Sequence, residues 1–301
     1  MGERKGFGQC DAHRNAQRCT AQDAGRWRIR LWDENDQPGA WSTASFETGL
    51  AQADWQGVWV CPETEEPDID CADAINAFAK PNWEQKQAAL EAPAKAGAAY
   101  QPHRPASYLR KTFTAPEGES KRLYITAKGL YAAWLNGKRV GDMVLAPGSF
   151  TADKQLGAQT YDVTALVRDG ENELLITLGD GWYRSTSGVD GDRDLFGSEL
   201  AVLFQLEVNG KAVCVSDDDM EATQCGPIRQ NDLQQGEVHD ARLEEELSGW
   251  HGVKTEPNSL PITGMNTVPS GSRKPLRAGC CAPPTARPCW TLARTWLAMW
   301  R

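Results

Sequence analysis

The residues best suited to chemistry lie in the stretch GDGWYR, Gly179–Arg184, which follows an apolar run. Aromatic rings and planar polar groups that stand side by side can bind a ligand through apolar contacts and hydrogen bonds at once. The stretch offers both kinds of group, in Asp180, Trp182, Tyr183 and Arg184. The alternative is that the two aromatic residues belong to a core and that Asp180-Gly181 is a turn.

A few residues further on, three aspartates occupy alternate positions of the segment DGDRDLFG. They are Asp190, Asp192 and Asp194. Their carboxylates could converge on a hard cation, so Ca²⁺ is the one candidate ion, and no cofactor is required. The pattern departs from a calcium-binding EF-hand loop, because Leu195 stands at the position of the glycine and Ala201 at that of the glutamate. A flexible acidic loop is the alternative interpretation.

Catalytic residues are harder to find. The chain has 41 Asp and Glu residues, but an excess of carboxylates is typical of a solvated surface. The sequence contains no Gly-x-Ser-x-Gly or His-x-x-x-His pattern that would indicate another mechanism. We therefore predict no catalytic residue in this chain.

Composition narrows the class of protein. Of the 301 residues, 40% are hydrophobic, and no run reaches the roughly 18 apolar residues of a membrane span. The net charge of −9 argues against a nucleic-acid partner. The start MGERKGFGQC lacks the apolar segment of a signal peptide, so we expect a cytoplasmic location. The nine cysteines are unevenly spaced, and none belongs to a C-x₂-C pair, which argues against a zinc site. They favour unpaired thiols in a reducing compartment.

The elements that must position these residues are strands. From Tyr108 to Arg184, short apolar runs alternate with Gly, Pro, Asn and Asp at spacings of about eight to twelve residues, which is typical of an antiparallel β-sandwich. Asn136-Gly137 and Asp169-Gly170 are hairpin-turn signals. We expect an all-β fold, with a sandwich over residues 54–250 and a surface insertion at 61–106.

The flanking segments are read separately. Residues 1–23 show no periodicity and stay unassigned, and they are a candidate for an altered reading frame. Residues 24–53 read as one hairpin, and an isolated hairpin is marginally stable at best. Residues 251–268 are expected to be a linker into a further β-domain.

The last 33 residues differ from the rest, because residues 269–301 contain six Lys or Arg and no Asp or Glu. A basic arm for an acidic partner is one interpretation. The other is a shifted reading frame: plausible codons for Gly279–Arg301, read from the third base, give VLRTPDGTPVLDFGQNMAGYVE, with a turn between alternating apolar residues. We therefore expect 269–301 to be a frameshifted tail.

Several collinear motifs resemble one family. YLRKTF, TAKGLYAAWLNGKRVGD, LAPGSFTADKQLGAQTYDVTALVRDGENEL, GDGWYR and GEVHDARLE together resemble the N-terminal region of bacterial α-L-rhamnosidases, glycoside hydrolases that remove terminal rhamnose. WRIRLWDENDQPGAWSTASFETGL resembles the end of the fibronectin-like domain that precedes this region, which makes 24–53 a remnant of that domain. The re-framed LDFGQNMAGYV resembles the start of the next β-domain.

The resemblance implies a jelly-roll sandwich like that of carbohydrate-binding modules. It also implies that catalysis, by two carboxylates, belongs to an (α/α)₆ barrel downstream. The chain would then be a non-catalytic, truncated part whose sandwich braces the missing barrel or binds a rhamnose-containing carbohydrate, with GDGWYR as the sugar-binding or interdomain site. Some relatives bind rhamnose through calcium, which favours the aspartate loop as a ligand set. A free-standing lectin-like module and an inactive truncated gene product are the alternatives.

Overall fold

The structure, a computed structural model, describes residues 24–62, 104–186, 194–265, 270–271, 279–281 and 289–291. Several predictions therefore lie outside the described residues. They concern residues 1–23, most of the insertion at 61–106, most of the tail at 269–301, and the two aspartates Asp190 and Asp192.

Strands dominate the described ranges, with one short helix and two 3₁₀ turns. The elements are β1 Ala24–Ile29, β2 Ser42–Glu47, a 3₁₀ turn Gln52–Asp54, β3 Trp59–Pro62, β4 Ser107–Ala115, β5 Lys121–Lys128, β6 Leu130–Leu135, β7 Lys138–Arg139, β8 Leu156–Asp162, β9 Gly170–Gly179, α1 Gly181–Arg184, β10 Ala201–Val208, β11 Lys211–Val215, β12 Glu221–Thr223, β13 Ile228–Asp232, β14 Gly236–His239, a 3₁₀ turn Ala241–Leu243, β15 Val253–Glu256, β16 Ile262–Gly264, β17 Gly279–Cys281 and β18 Cys289–Thr291.

Two sheets form the sandwich. Among the described residues, the larger sheet has the order β15-β3-β10-β5-β8-β16, with β11 also paired to β10, and the smaller has the order β12-β4-β9-β6-β7. The pairings are antiparallel except for that of β16 with β8, which is parallel. The predicted all-β antiparallel sandwich is confirmed.

The main core lies between the two sheets. Along β9, Leu174, Ile176 and Leu178 are buried while the residues between them are more exposed, which is the period-two pattern of a strand with one solvated face. From the larger sheet, Ile125 and Phe204 are completely buried against them. Burying each such side chain contributes about 1.5–3 kcal/mol, so this layer is the main source of stability.

A second apolar cluster covers the other face of the larger sheet. Trp59 and Leu203 lie at its centre, and Trp55, Phe150 and Phe196 pack against it from segments outside the sheet. Strand β10 is therefore buried on both faces along its whole length. This explains why its sequence AVLFQLEV shows no clean alternation of apolar and polar residues.

The Asn-Gly turn prediction is confirmed, and the Asp-Gly one is wrong. Asn136-Gly137 joins β6 to β7 with both residues at positive φ, as a two-residue hairpin of this type requires. Asp169-Gly170, in contrast, precedes β9, whose chain predecessor β8 lies in the other sheet. Asp169 instead accepts a hydrogen bond from Nζ of the buried Lys121 (2.9 Å).

Strands β1 and β2 form a separate hairpin with six paired positions. It contacts the sandwich through Glu47, whose carboxylate accepts hydrogen bonds of 2.9 and 3.1 Å from Nε of Arg122. At the other end, the residues predicted as a linker, 251–268, contribute two strands to the larger sheet. They were not recognisable as strands because each is short and pairs with a partner more than a hundred residues away.

Candidate functional site

The stretch GDGWYR lies where β9 leaves the smaller sheet and α1 begins. Gly181 has φ +55°, and a Cβ on it would lie 2.5 Å from Cγ of Leu130. Only glycine fits this turn without displacing its neighbours. The turn directs the four residues of α1 across the end of the sandwich, so the predicted site residues are held by a tight backbone reversal.

Asp180 and Arg184 are brought together in the interior. Nε of Arg184 donates to Oδ1 of Asp180 at 2.7 Å, and each side chain is 1% exposed. Nη1 of Arg184 donates to the carbonyl oxygen of Ser198 at 2.9 Å, while no described residue accepts a hydrogen bond from the buried Nη2. Because removal of one member leaves the other charge buried, such a pair fixes its surroundings strongly.

The segment around α1 is tied to the β13–β14 hairpin. The backbone N–H of Asp180 donates to Oδ1 of Asn231 at 2.5 Å, and Nδ2 of Asn231 donates to the carbonyl of Arg104 at 3.0 Å. The N–H of Thr186 donates to Oδ2 of Asp232 at 2.7 Å. These bonds hold both ends of α1 against one neighbouring hairpin.

The carboxylate of Asp232 accepts several backbone hydrogen bonds in this region. It also accepts the backbone N–H groups of Gln234 (2.8 Å) and Gln235 (2.9 Å). Burial by itself would raise the pKa of Asp232, but the N–H donors of Thr186, Gln235 and Gln234 stabilise the charged form, and the net pKa is lowered.

The two aromatic residues point to different environments. The side chain of Trp182 is 36% exposed. Tyr183 is half-buried and its ring centroid lies 6.4 Å from that of Phe196, and burial raises the pKa of its hydroxyl. Together they border a shallow depression whose lining is otherwise Gly129, Gly148, Phe150, Ala152, Leu156 and Phe196.

The predicted site thus separates into a buried polar half and a more accessible aromatic half. Trp182 and Tyr183 line the depression, whereas Asp180 and Arg184 are buried. Sugar binding at GDGWYR stays a prediction, and its accessible part is Trp182.

Of the three aspartates predicted to bind calcium, the structure describes Asp194. Its carboxylate pairs with the guanidinium of Arg104 through two bonds of 2.5 and 3.2 Å. Within the described part of the chain, no group of three or more His, Cys, Asp or Glu side chains is arranged to hold a metal ion. The calcium site stays a prediction, because Asp190 and Asp192 lie outside the described residues.

Sequence reasoning missed three polar residues that hold this region together: Arg104, Asn231 and Asp232. Their local signals are weak, because Arg104 follows the insertion and the other two end a short strand. The turn QQG after Asp232 was the one available hint, since an aspartate before a turn often accepts backbone N–H groups.

The three buried carboxylates of the described residues are all engaged. Asp180 is paired with Arg184, Asp232 accepts backbone N–H groups, and Glu207 accepts a hydrogen bond from Nε2 of Gln205 at 2.7 Å. Each is held in a fixed arrangement of hydrogen bonds.

Cys61, Cys214 and Cys225 are unpaired thiols. Burial raises the pKa of Cys61 to about 11 and that of Cys214 to about 12, so both are unreactive thiols near neutral pH. Cys225 is unpaired and exposed. As for membranes, none of the described helices has the length and apolar character to cross one.

Two family models match the chain. The α-L-rhamnosidase N-terminal domain matches residues 117–278, and the Rha78A-like N-terminal immunoglobulin domain matches residues 9–52. The first covers most of the sandwich and the second covers the β1–β2 hairpin with residues that precede it.

Curated relatives and solved structures agree with these matches. An α-L-rhamnosidase of Formosa agariphila is 34% identical over 229 residues, which are 72% of this chain and 22% of the relative. One of Streptomyces avermitilis is 41% identical over 150 residues, 48% of this chain and 14% of the relative. This chain thus spans less than a quarter of either relative.

Two crystal structures extend the comparison to the fold. Native α-L-rhamnosidase from Aspergillus terreus superposes with a TM-score of 0.61 and 27% identity, over 81% of this chain and 27% of that one. The S. avermitilis enzyme complexed with L-rhamnose has a TM-score of 0.63 and 23% identity, over 86% of this chain and 40% of that one.

Proposed function

Because the chain belongs to the α-L-rhamnosidase N-terminal domain family, we propose that it serves as the non-catalytic N-terminal part of an enzyme that releases terminal α-L-rhamnose. In this role its sandwich braces a catalytic domain or binds carbohydrate. The proposal is carried by the family match over residues 117–278, which covers most of the sandwich.

The arrangement of acidic groups supports the non-catalytic role. Glycoside hydrolysis needs two carboxylates on either side of the scissile bond, separated by about 5 to 9.5 Å across an open cleft. The buried carboxylates of the described residues are instead held by Arg184, Gln205 and backbone N–H groups. A carboxylate so engaged is poorly placed to exchange a proton with a substrate.

The test is hydrolysis of nitrophenyl α-L-rhamnoside by the purified chain. We expect no nitrophenol release above the buffer blank, with the S. avermitilis relative as the positive control in the same assay. Sustained release that scales with the concentration of the chain would contradict the non-catalytic role.

A lectin-like function is the second candidate, and the exposed Trp182 beside the apolar depression favours it. Titration calorimetry with L-rhamnose is expected to show binding that Trp182→Ala abolishes. Trp27→Ala is the matched control, because Trp27 is also an exposed tryptophan but lies in strand β1. Equal binding by both variants would place the sugar elsewhere, and absence of binding to the parent chain would remove the lectin-like function.

Calcium is tested in the same titrations. If the aspartate loop holds Ca²⁺, rhamnose binding weakens when a chelator is present, and the double variant Asp190→Asn with Asp192→Asn removes that sensitivity. Binding that is the same with Ca²⁺ and with chelator would exclude calcium from this site.

A further inference from the structure

The β1–β2 hairpin has two chemically different faces. Residues directly opposite in an antiparallel pair project from the same face, so the register Gly25↔Phe46 and Trp27↔Ala44 makes one face apolar. The register Arg26↔Ser45 and Arg28↔Thr43 makes the other face basic and hydroxyl-bearing. We name the second the arginine face; it consists of Arg26, Arg28, Arg30, Trp32, Trp41, Thr43 and Ser45. It ends at the pair Ala24↔Glu47, where the carboxylate of Glu47 is bonded to Arg122.

Stacking organises the arginine face. The guanidinium carbon of Arg28 lies 4.5 Å from the ring centroid of Trp41, and that of Arg30 lies 5.6 Å from Trp41 and 5.8 Å from Trp32. Nε of Arg30 also donates to the carbonyl of Gly39 at 3.0 Å. Cations over indole rings are held in place while the N–H groups at their edges stay available.

These charges are not neutralised. In the described structure no carboxylate pairs with Arg26, Arg28 or Arg30, whereas arginines of the sandwich such as Arg110 and Arg122 do have carboxylate partners. The chain as a whole carries a net charge of −9. Arg26 and Arg28, at alternate positions of β1 and about 6.8 Å apart, and Arg30 just after the strand are therefore a local exception to an acidic surface.

We propose that the arginine face binds an anionic polysaccharide through carboxylate or sulfate groups on successive sugars. The guanidinium fork matches the geometry of such oxyanions and donates to two of their oxygens at once. Since guanidinium groups cover the rings of Trp41 and Trp32, stacking of a neutral sugar is disfavoured there. An open row of cations fits a polymer rather than a single small sugar.

The choice of a polysaccharide among polyanions rests on the proposed function, because the family acts on carbohydrate. The thymine-rich single strand oligo(dT), another flexible polyanion, serves as the competing probe. Rhamnoside hydrolysis tests the proposed function, and polymer binding by the hairpin tests this inference. Either can therefore fail without the other.

The experiment uses the full chain and affinity electrophoresis in gels that contain polygalacturonate, dextran sulfate or neutral dextran. We expect retardation by at least one anionic polymer, none by neutral dextran, and loss of retardation at high salt. Comparison of polygalacturonate with dextran sulfate distinguishes carboxylate from sulfate recognition.

The variant that tests the site is Arg26→Gln with Arg28→Gln, which is expected to weaken the apparent affinity at least about tenfold, or about 1.4 kcal/mol. The control is Lys138→Gln with Lys211→Gln, which removes the same charge from two exposed positions, the first residues of β7 and β11, and is expected to change affinity less than about twofold. Arg28→Lys keeps the charge but not the fork and is expected to fall between them.

Three results would overturn the inference. These are no retardation of the parent chain by either anionic polymer, equal weakening by the arginine and lysine variants, and binding of oligo(dT) as tight as that of the polysaccharides. Thermal unfolding of every variant, compared with the parent, shows that a loss of binding is not a loss of fold.

Discussion

Tryptophan and arginine occur in both the sandwich and the β1–β2 hairpin, yet their settings are opposite. In the sandwich, Trp59 is 1% exposed and Arg184 is completely buried, whereas in the hairpin Trp27 is 47% exposed and Arg26 and Arg28 are exposed. The residue type therefore does not determine whether a side chain is covered. That depends on whether another layer of the structure lies over its face.

The difference arises from the number of layers. The larger sheet has the smaller sheet on one face and a cluster with Trp55, Phe150 and Phe196 on the other, so side chains of either face are removed from water. The described hairpin is a two-stranded ribbon, which has no second layer of its own. Its arginines and indoles stack on one another instead.

The sharpest test of this contrast replaces one phenylalanine in each region. Phe204→Ala removes a fully buried ring from the core and is expected to lower the free energy of unfolding by about 4 kcal/mol. Phe46→Ala, in the hairpin, is expected to lower it by about 0.5 kcal/mol or less. Urea denaturation measures both, and equal losses would show that the hairpin is as well packed as the sandwich.

Arginines provide the next test. Arg184→Ala removes the guanidinium that pairs with the buried carboxylate of Asp180 and is expected to cost about 3 kcal/mol. Arg28→Ala is expected to cost about 0.5 kcal/mol or less. In the double variant Arg184→Met with Asp180→Leu, which buries no charge, part of the loss should be recovered in the same denaturation experiment; a double variant as unstable as Arg184→Ala would argue against the charge explanation.

Asp232→Asn tests the attachment of α1 to the β13–β14 hairpin. Asparagine accepts fewer hydrogen bonds, so a loss of about 1–2 kcal/mol is expected at neutral pH. Since the pKa of Asp232 is lowered by folding, its charged form stabilises the protein above the unfolded pKa of about 3.9, and this stabilisation disappears as the pH falls through the lower folded value.

The stability difference between Asp232→Asn and the parent should therefore shrink as the pH is lowered below about 4. Asp218→Asn, at an exposed position, is the control and should show little difference at any pH. A difference for Asp232→Asn that is the same at pH 3 and pH 7 would rule out the ionised carboxylate as its source. Thermal unfolding across this pH range provides the measurement.

The smallest effect is expected where the two regions meet. Glu47→Gln removes the ion pair with Arg122, both partners of which are partly exposed, so global stability should change by less than about 1 kcal/mol. Amide hydrogen exchange in β1 and β2 should nevertheless become faster, while exchange in β10 does not change. Glu173→Gln, at an exposed position of β9, is the control.

Local signals predicted the sandwich well. Period-two runs such as that of β9, and the Asn136-Gly137 turn with its obligatory positive φ, need no knowledge of distant partners. The family resemblance was also carried by local motifs, and the match over residues 117–278 confirms it. Strands and turns whose conformation depends mainly on residues close by in the sequence can therefore be predicted from the sequence.

Other features depend on distant partners. The burial of Asp180 and Arg184 requires Ser198 and Asn231 to close over them, and nothing in GDGWYR indicates this. The parallel pairing of β16 with β8 joins segments about a hundred residues apart. In both cases the energy comes from contacts whose residues are individually unremarkable in the sequence.

Besides the pairing of β15 with β3, one side chain joins the two ends of the sandwich. Nε2 of Gln52 donates to the carbonyl of Leu260 at 3.3 Å, and the N–H of Ile262 donates to Oε1 of Gln52 at 2.8 Å, across separations of 208 and 210 residues. At a synthesis rate of roughly 5–20 residues per second, these two hydrogen bonds cannot form until about 10–40 s after Gln52 has been made. During that interval the nascent larger sheet has an unpaired edge at β8, so the timing of translation sets how long a chaperone would have to protect it.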